Sequence, residues 1–129
     1  MHATGHTEMD KRLLVVDDEI EFGEIIERIA TKLGFDVCKT TRPSEFRKMY
    51  DQFDPTHIFM DVIMPEMDGV ELVQWLSQRG CKAKVVIMSG SSASYINSTR
   101  AIAADTDLNI VATLAKPCKV AAIRSVLSD

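Results

Sequence analysis

His57 to Gly69 reads HIFMDVIMPEMDG. Ile58, Phe59 and Met60 form an apolar run short enough for a buried strand, and it ends in a carboxylate, Asp61, before a loop that holds Pro65 and Gly69. A lone acid closing an apolar strand is either a turn cap or a chemical group. The stretch by itself leaves both readings open, and its neighbours decide between them.

Upstream, Arg12 to Val16 (RLLVV) is an apolar strand closed by Asp17, Asp18 and Glu19. Phe22, Ile25, Ile26, Ile29 and Leu33 then recur at helical spacing up to Gly34. Phe35 to Lys39 reads as a short second strand. Pro43 suits the first turn of a helix that buries Phe46, Met49, Tyr50 and Phe53 and ends before Pro55. Beyond Gly69, Val70, Leu72, Val73 and Leu76 mark a helix that Gly80 stops, with Asp68 and Glu71 at capping-box spacing. Lys84 to Met88 (KVVIM) is a fourth strand and Ser89 to Ser92 a polar loop. Tyr95 to Ala104 is a weaker helix, Asn109 to Leu114 a fifth strand, and Ala115 to Cys118 a loop. Val120, Ile123, Val126 and Leu127 line a closing amphipathic helix.

Five apolar strands alternating with five helices call for a doubly wound α/β domain, a five-stranded parallel sheet with helices on both faces. In such sheets functional residues gather at the carboxyl ends of the strands. Here those ends carry Asp17 and Asp18, Asp61, Ser89 and Lys116.

Composition narrows the class. The 129 residues fit one domain, expected over 11–129, with 1–10 a flexible polar tail that contains His2 and His6. A net charge of -4 with scattered basic residues argues against a nucleic-acid surface, and no apolar run approaches the roughly 20 residues of a membrane helix. Cys38, Cys81 and Cys118 form no close pair, so neither a disulfide framework nor a zinc site is expected, and a reducing, cytoplasmic setting is the simpler one. The methionines at 60, 64, 67 and 88 read as gap-filling core residues.

Three carboxylates, a hydroxyl and an ammonium meeting in one crevice repel unless a cation neutralises the acids. Mg²⁺ fits, because it takes oxygen ligands, keeps waters and leaves a position for a phosphoryl oxygen. A fixed lysine and a hydroxyl would hold the other phosphoryl oxygens, which leaves Asp61 as the nucleophile. Plainer readings stand beside these: Asp18 and Glu21 also have capping-box spacing, Ser89 suits a turn, and Lys116 suits a solvated surface.

Taken together, VVDDE at 15–19, MDVIMPEMDG at 60–69, MSG at 88–90 and KP at 116–117 resemble the response regulator receiver domain, the CheY-like family of two-component signalling, from Arg12 to Leu127. The resemblance implies a flavodoxin-like strand order 2-1-3-4-5. It makes Asp61 the phosphoacceptor, Asp18 a direct Mg²⁺ ligand, Asp17 an acid acting largely through bound water, and the Ile63 carbonyl a further metal ligand. Ser89 and Lys116 would hold phosphoryl oxygens, with a cis bond before Pro117. It implies a histidine kinase or phosphotransfer protein as donor, and Mg²⁺-dependent catalysis of the chain's own phosphorylation and dephosphorylation without an independent substrate. The switched surface, and a homodimer, would use the fourth and fifth helices.

The chain departs from the family in four places. Thr113 stands three residues before the lysine, where many receivers carry an aromatic switch. Cys118 replaces a frequent Phe. Ile63 offers no polar group to orient attacking water, which implies slow self-dephosphorylation, while Gly90 leaves room for a donor. The segment from Ser89 to Lys116 runs several residues long near 104–109, and LNIVATLAKP bears a weaker resemblance to receivers attached to cyclic-di-GMP phosphodiesterase domains. Two other functions compete. A non-phosphorylated pseudo-receiver would bind or dimerise. An aspartyl phosphatase of the haloacid dehalogenase kind would need a first-strand DxD, and here Asp17 and Asp18 are adjacent.

Overall fold

In a computed structural model of the chain, residues 10–63, 69–90 and 93–128 are described, the first four of the last segment by backbone alone. The expected tail therefore lies outside the described residues except for Asp10, which pairs with Arg12 at 3.3 Å. Met64, Pro65, Met67, Asp68 and Ser92 lie outside them as well.

Strands β1 (Arg12–Val16), β2 (Asp36–Thr40), β3 (His57–Asp61), β4 (Lys84–Ser89) and β5 (Asn109–Ala115) alternate with helices α1 (Ile20–Lys32), α2 (Pro43–Phe53), α3 (Gly69–Gln78), α4 (Ala93–Ala103) and α5 (Val120–Leu127). All strand pairs are parallel and the order is 2-1-3-4-5, as the resemblance implies. The continuous apolar character of β1, β3 and β4 follows from burial on both faces. Strand alternation sends Leu14, Val16, Ile58, Met60, Val85 and Ile87 into one core with Phe46, Leu72, Val73 and Leu76. Leu13, Val15, Phe59, Val86 and Met88 face the opposite way and pack with Ile26, Ile29, Ile123 and Leu127. The first core is thus closed by α2 and α3, the second by α1 and α5.

Several element boundaries differ from expectation: α4 spans Ala93–Ala103, β2 ends at Thr40 and β5 at Ala115, and other differences have a local cause. Phe35 is not in β2: its N–H donates to Ala30 O and closes the end of α1, so pairing with β1 begins at Asp36 opposite Arg12. Helix α1 has Glu19 as its N-cap without a side-chain cap bond, so Asp18 and Glu21 form no capping box. Ser89 is the last residue of β4, not the first of a loop. The segment before Lys116, expected to run long, contains a turn and an irregularity in β5. In the turn the Thr106 hydroxyl donates to Ala103 O at 2.7 Å and accepts from Leu108 N–H at 3.1 Å. In β5, Val85 faces Ile110 and Val86 faces Ala112, which leaves Val111 as a bulge on this edge strand.

Two further contacts matter below. A Cβ on Gly69 would lie 2.6 Å from Val62 Cβ and 2.9 Å from its Cα, and the Gly69 N–H donates to Val62 O at 2.8 Å. Only glycine lets the chain return so closely to the residue after Asp61. At the other end of the strands, Arg12 N–H donates to Thr56 Oγ1 at 2.9 Å and Arg12 Nε to Asp54 O at 2.7 Å. His57 Nδ1 lies 2.8 Å from Thr56 Oγ1, and its ring stands edge-on to Phe35.

Candidate functional site

The carboxyl ends of four strands build the site. Val16 carries β1 out of the core, so Asp17 follows it while still buried, 2% exposed. Its N–H donates to Thr40 O on β2 at 3.1 Å, and its Oδ1 accepts the Glu19 N–H at 2.8 Å. Asp61 ends β3 at 4% exposure, and its Oδ1 accepts the Ile63 N–H at 2.9 Å, which fixes the carboxylate plane. Ser89 ends β4 and is fully buried. Its carbonyl accepts the Lys116 N–H at 2.9 Å and so docks the segment after β5 against β4. The Lys116–Pro117 peptide is cis.

Lys116 sends its side chain into the centre. Its Nζ lies 2.7 Å from Asp17 Oδ2, 3.1 Å from Asp61 Oδ2 and 2.5 Å from Glu19 Oε1, and 4.7 Å from the centre of the Phe22 ring. Burial by itself would lower the lysine pKa; the close carboxylates of Asp17, Glu19 and Asp61 outweigh it and push the value above that of a free lysine. Burial raises the pKa of Asp17, and Lys116 only partly opposes the rise.

Every predicted site residue reaches this end of the sheet. Asp17, Asp61 and Lys116 meet directly. Asp18 is exposed and lines the mouth, a cavity of about 290 Å³, with Glu19, Asp61, Ile63, Gly90 and Lys116. It stands outside the tightest acidic group, in which Asp17, Glu19 and Asp61 each bring a carboxylate oxygen within 4.8 Å of the others. Glu19 is the residue that sequence reasoning missed. The signal was the third acid of VVDDE, read there only as part of an acidic turn.

The donor set suits a hard divalent cation. Three carboxylates against one ammonium leave negative charge in excess, and Asp17 Oδ2, although 2.7 Å from Nζ, is buried without a well-directed hydrogen bond. Mg²⁺ held by Asp17, Asp61 and acids of the mouth would relieve both conditions.

The remaining expectations separate from this centre. Thr113 is half-buried opposite Ile87 and lines a groove with Arg100, Ile110 and Val111 between α4 and β5. Cys118 packs against the α1–α5 core, and burial raises its thiol pKa, which works against redox chemistry.

Comparison with known proteins matches this geometry. A family model described as the response regulator receiver domain matches residues 13–128. A chemotaxis protein CheY of Thermotoga maritima is 32% identical over 100 residues, which cover 75% of this chain and 83% of that one. The crystal structure of a response regulator signal receiver domain from Bermanella marisrubri superposes with a TM-score of 0.81 at 23% identity, over 94% of this chain and 98% of that one. A response regulator protein from Burkholderia pseudomallei, whose structure contains a phosphorylated aspartic acid, a calcium ion and citrate, gives a TM-score of 0.76 at 24% identity. That match covers 92% of this chain and 66% of the Burkholderia one.

Proposed function

The chain belongs to the response regulator receiver domain family, and on that premise we propose that Asp61 accepts a phosphoryl group from a histidine kinase or a histidine phosphotransfer protein. One observation carries the reading: a nearly buried carboxylate, oriented by the Ile63 N–H, faces a shared lysine at the open end of the sheet. An oxygen of Asp61 attacks the donor phosphorus, the bond from phosphorus to the donor imidazole breaks, and an acyl phosphate forms. Lys116 and the Ser89 hydroxyl hold phosphoryl oxygens, so the chain contributes positioning and charge stabilisation. Bound Mg²⁺ supplies neutralisation of the acidic group and of the phosphoryl oxygens; Asp17, Asp18 and Asp61, with the Ile63 carbonyl, are the groups to hold it. The phosphorylated aspartate of the Burkholderia relative supports the same chemistry here.

The reaction modifies the chain itself and turns over no separate substrate. We place it in the cytoplasm, with the α4–β5–α5 face as the surface that changes partners, as monomer or homodimer. With an aliphatic Ile63 at the mouth, the acyl phosphate decays slowly. The assembled acids and lysine weigh against a pseudo-receiver, whose fold would not require them.

Intact-protein mass after incubation with a small phosphodonor and Mg²⁺ tests the proposal. Wild type gains one phosphate and Asp61→Asn gains none. Failure of the wild type with several donors would leave the pseudo-receiver as the better reading.

A further inference from the structure

Resting on the phosphoacceptor reading, we propose that Glu19 is a donor-selecting residue: its charge at the mouth works against free, doubly charged phosphodonors and leaves the site to donors that bring docking energy of their own. Lys116 has three N–H groups and three carboxylate neighbours. Two of these, Asp17 and Asp61, have side chains 0% and 6% exposed; that of Glu19 is 64% exposed. A phosphoryl oxygen that needs Lys116 therefore displaces Glu19, whose carboxylate is the one free to return to water. Until it leaves, an anion entering the cavity between Asp18, Ile63 and Gly90 meets the Glu19 charge beside that of Asp18. The next hollow along the surface, between Phe22, Ile25 and Pro117, is flanked by Glu19 again and by Glu21. Both approaches thus carry negative charge, and among the described residues lining them only Lys116 opposes it.

A free acyl phosphate dianion pays this repulsion in full. A phosphohistidine on a protein surface meets the same charge but offsets it with contacts elsewhere. A third donor isolates the charge from the chemistry. Phosphoramidate carries one net negative charge at neutral pH and gives the same aspartyl phosphate. With acetyl phosphate, attack by Asp61 breaks the bond from phosphorus to the acyl oxygen and releases acetate. With phosphoramidate it breaks the P–N bond and releases ammonia.

The experiment compares the two donors at saturating Mg²⁺ by phosphorylation rate, for wild type, Glu19→Gln and Glu19→Asp. Glu19→Gln is expected to raise the second-order rate constant about fivefold for acetyl phosphate and less than about twofold for phosphoramidate, the gap closing at about 0.5 M salt. Glu19→Asp keeps the charge and so keeps the wild-type ratio of the two donors. The ratio cancels any change in Lys116 that affects both reactions alike. An unchanged ratio in Glu19→Gln, or a Glu19→Asp ratio that follows Gln, would overturn the inference while leaving Asp61 as acceptor. A wild type and a Glu19→Gln that both take phosphate from neither donor would overturn both.

Discussion

The two ends of the sheet treat their polar groups in opposite ways. At the amino ends of β1 and β3, Arg12 exchanges hydrogen bonds with Thr56 and donates to Asp54 O, and Thr56 also accepts at its carbonyl from Lys84 N–H at 3.0 Å. Most groups there are settled by a close neighbour, while among the described residues Arg12 Nη1 keeps only its ion pair with Asp10 and His57 Nε2 is buried without a hydrogen bond. At the carboxyl ends the same strands deliver Asp17 and Asp61 to a single ammonium that Glu19 also claims. One end spends its polarity on joining strands. The other keeps a surplus of negative charge, which costs stability and is relieved only when a cation or a phosphoryl group arrives.

The largest test of this contrast removes the cation that the three carboxylates share. Lys116→Met preserves the aliphatic packing beside Phe22 and leaves three carboxylates facing each other, so the rate of phosphorylation from a small donor should fall about 100-fold. A rate within threefold of wild type would mean that the site does not depend on its lysine. Next is Asp17→Asn. The folded-state pKa of Asp17 is raised, so the folded chain binds more protons than the unfolded one above pH 3.8, and the ionised group subtracts stability at neutral pH. The variant should therefore be more stable than wild type at pH 7 by about 1 kcal/mol in urea unfolding, while the gain of about 1.4 kcal/mol that Mg²⁺ at ten times its Kd gives wild type should shrink toward zero. A less stable variant would erase the contrast.

The smallest effect sharpens the quiet end. Burial first, then the Lys84 and Lys11 charges, lowers the His57 pKa to about 4. With the unfolded value near 6.5, the folded chain favours the neutral ring. Its contribution is complete above pH 6.5 and is lost as pH falls through about 4. His57→Gln should flatten the loss of unfolding free energy, measured in urea, between pH 6.5 and 4, by about 1 kcal/mol at the acid limit because the ring is half-buried and partly screened. An unchanged slope would assign the pH dependence elsewhere.

Much of this was legible from the residues alone, and for identifiable reasons. β1, β3 and β4 declare themselves because burial on both faces removes polar residues from them, and an abrupt Asp then marks the strand end. β2 was displaced by one residue because Phe35 is as apolar as a strand residue, while its N–H belongs to the end of α1. The Val111 bulge left no trace, since pairing register is a relation between two strands and not a property of either. Among the acids of VVDDE, alternation along a strand cannot tell which will share the lysine. That depends on where α1 begins, and α1 begins just after Glu19, with the Glu19 N–H bound to Asp17. Lys116 was found by its distance past the fifth strand, and its three partners only by the fold.

Gly69 has a consequence in the language of genetics. Any side chain there strikes Val62, one residue beyond Asp61. A screen that scores lost signalling would group alleles of codon 69 with those of 61 and 116, although the glycine holds no reactive atom. Complementation would not separate them either. An assay of the purified protein's compactness would, because the mutants at 61 and 116 keep their shape and the mutant at 69 forfeits the close contact of Gly69 with Val62.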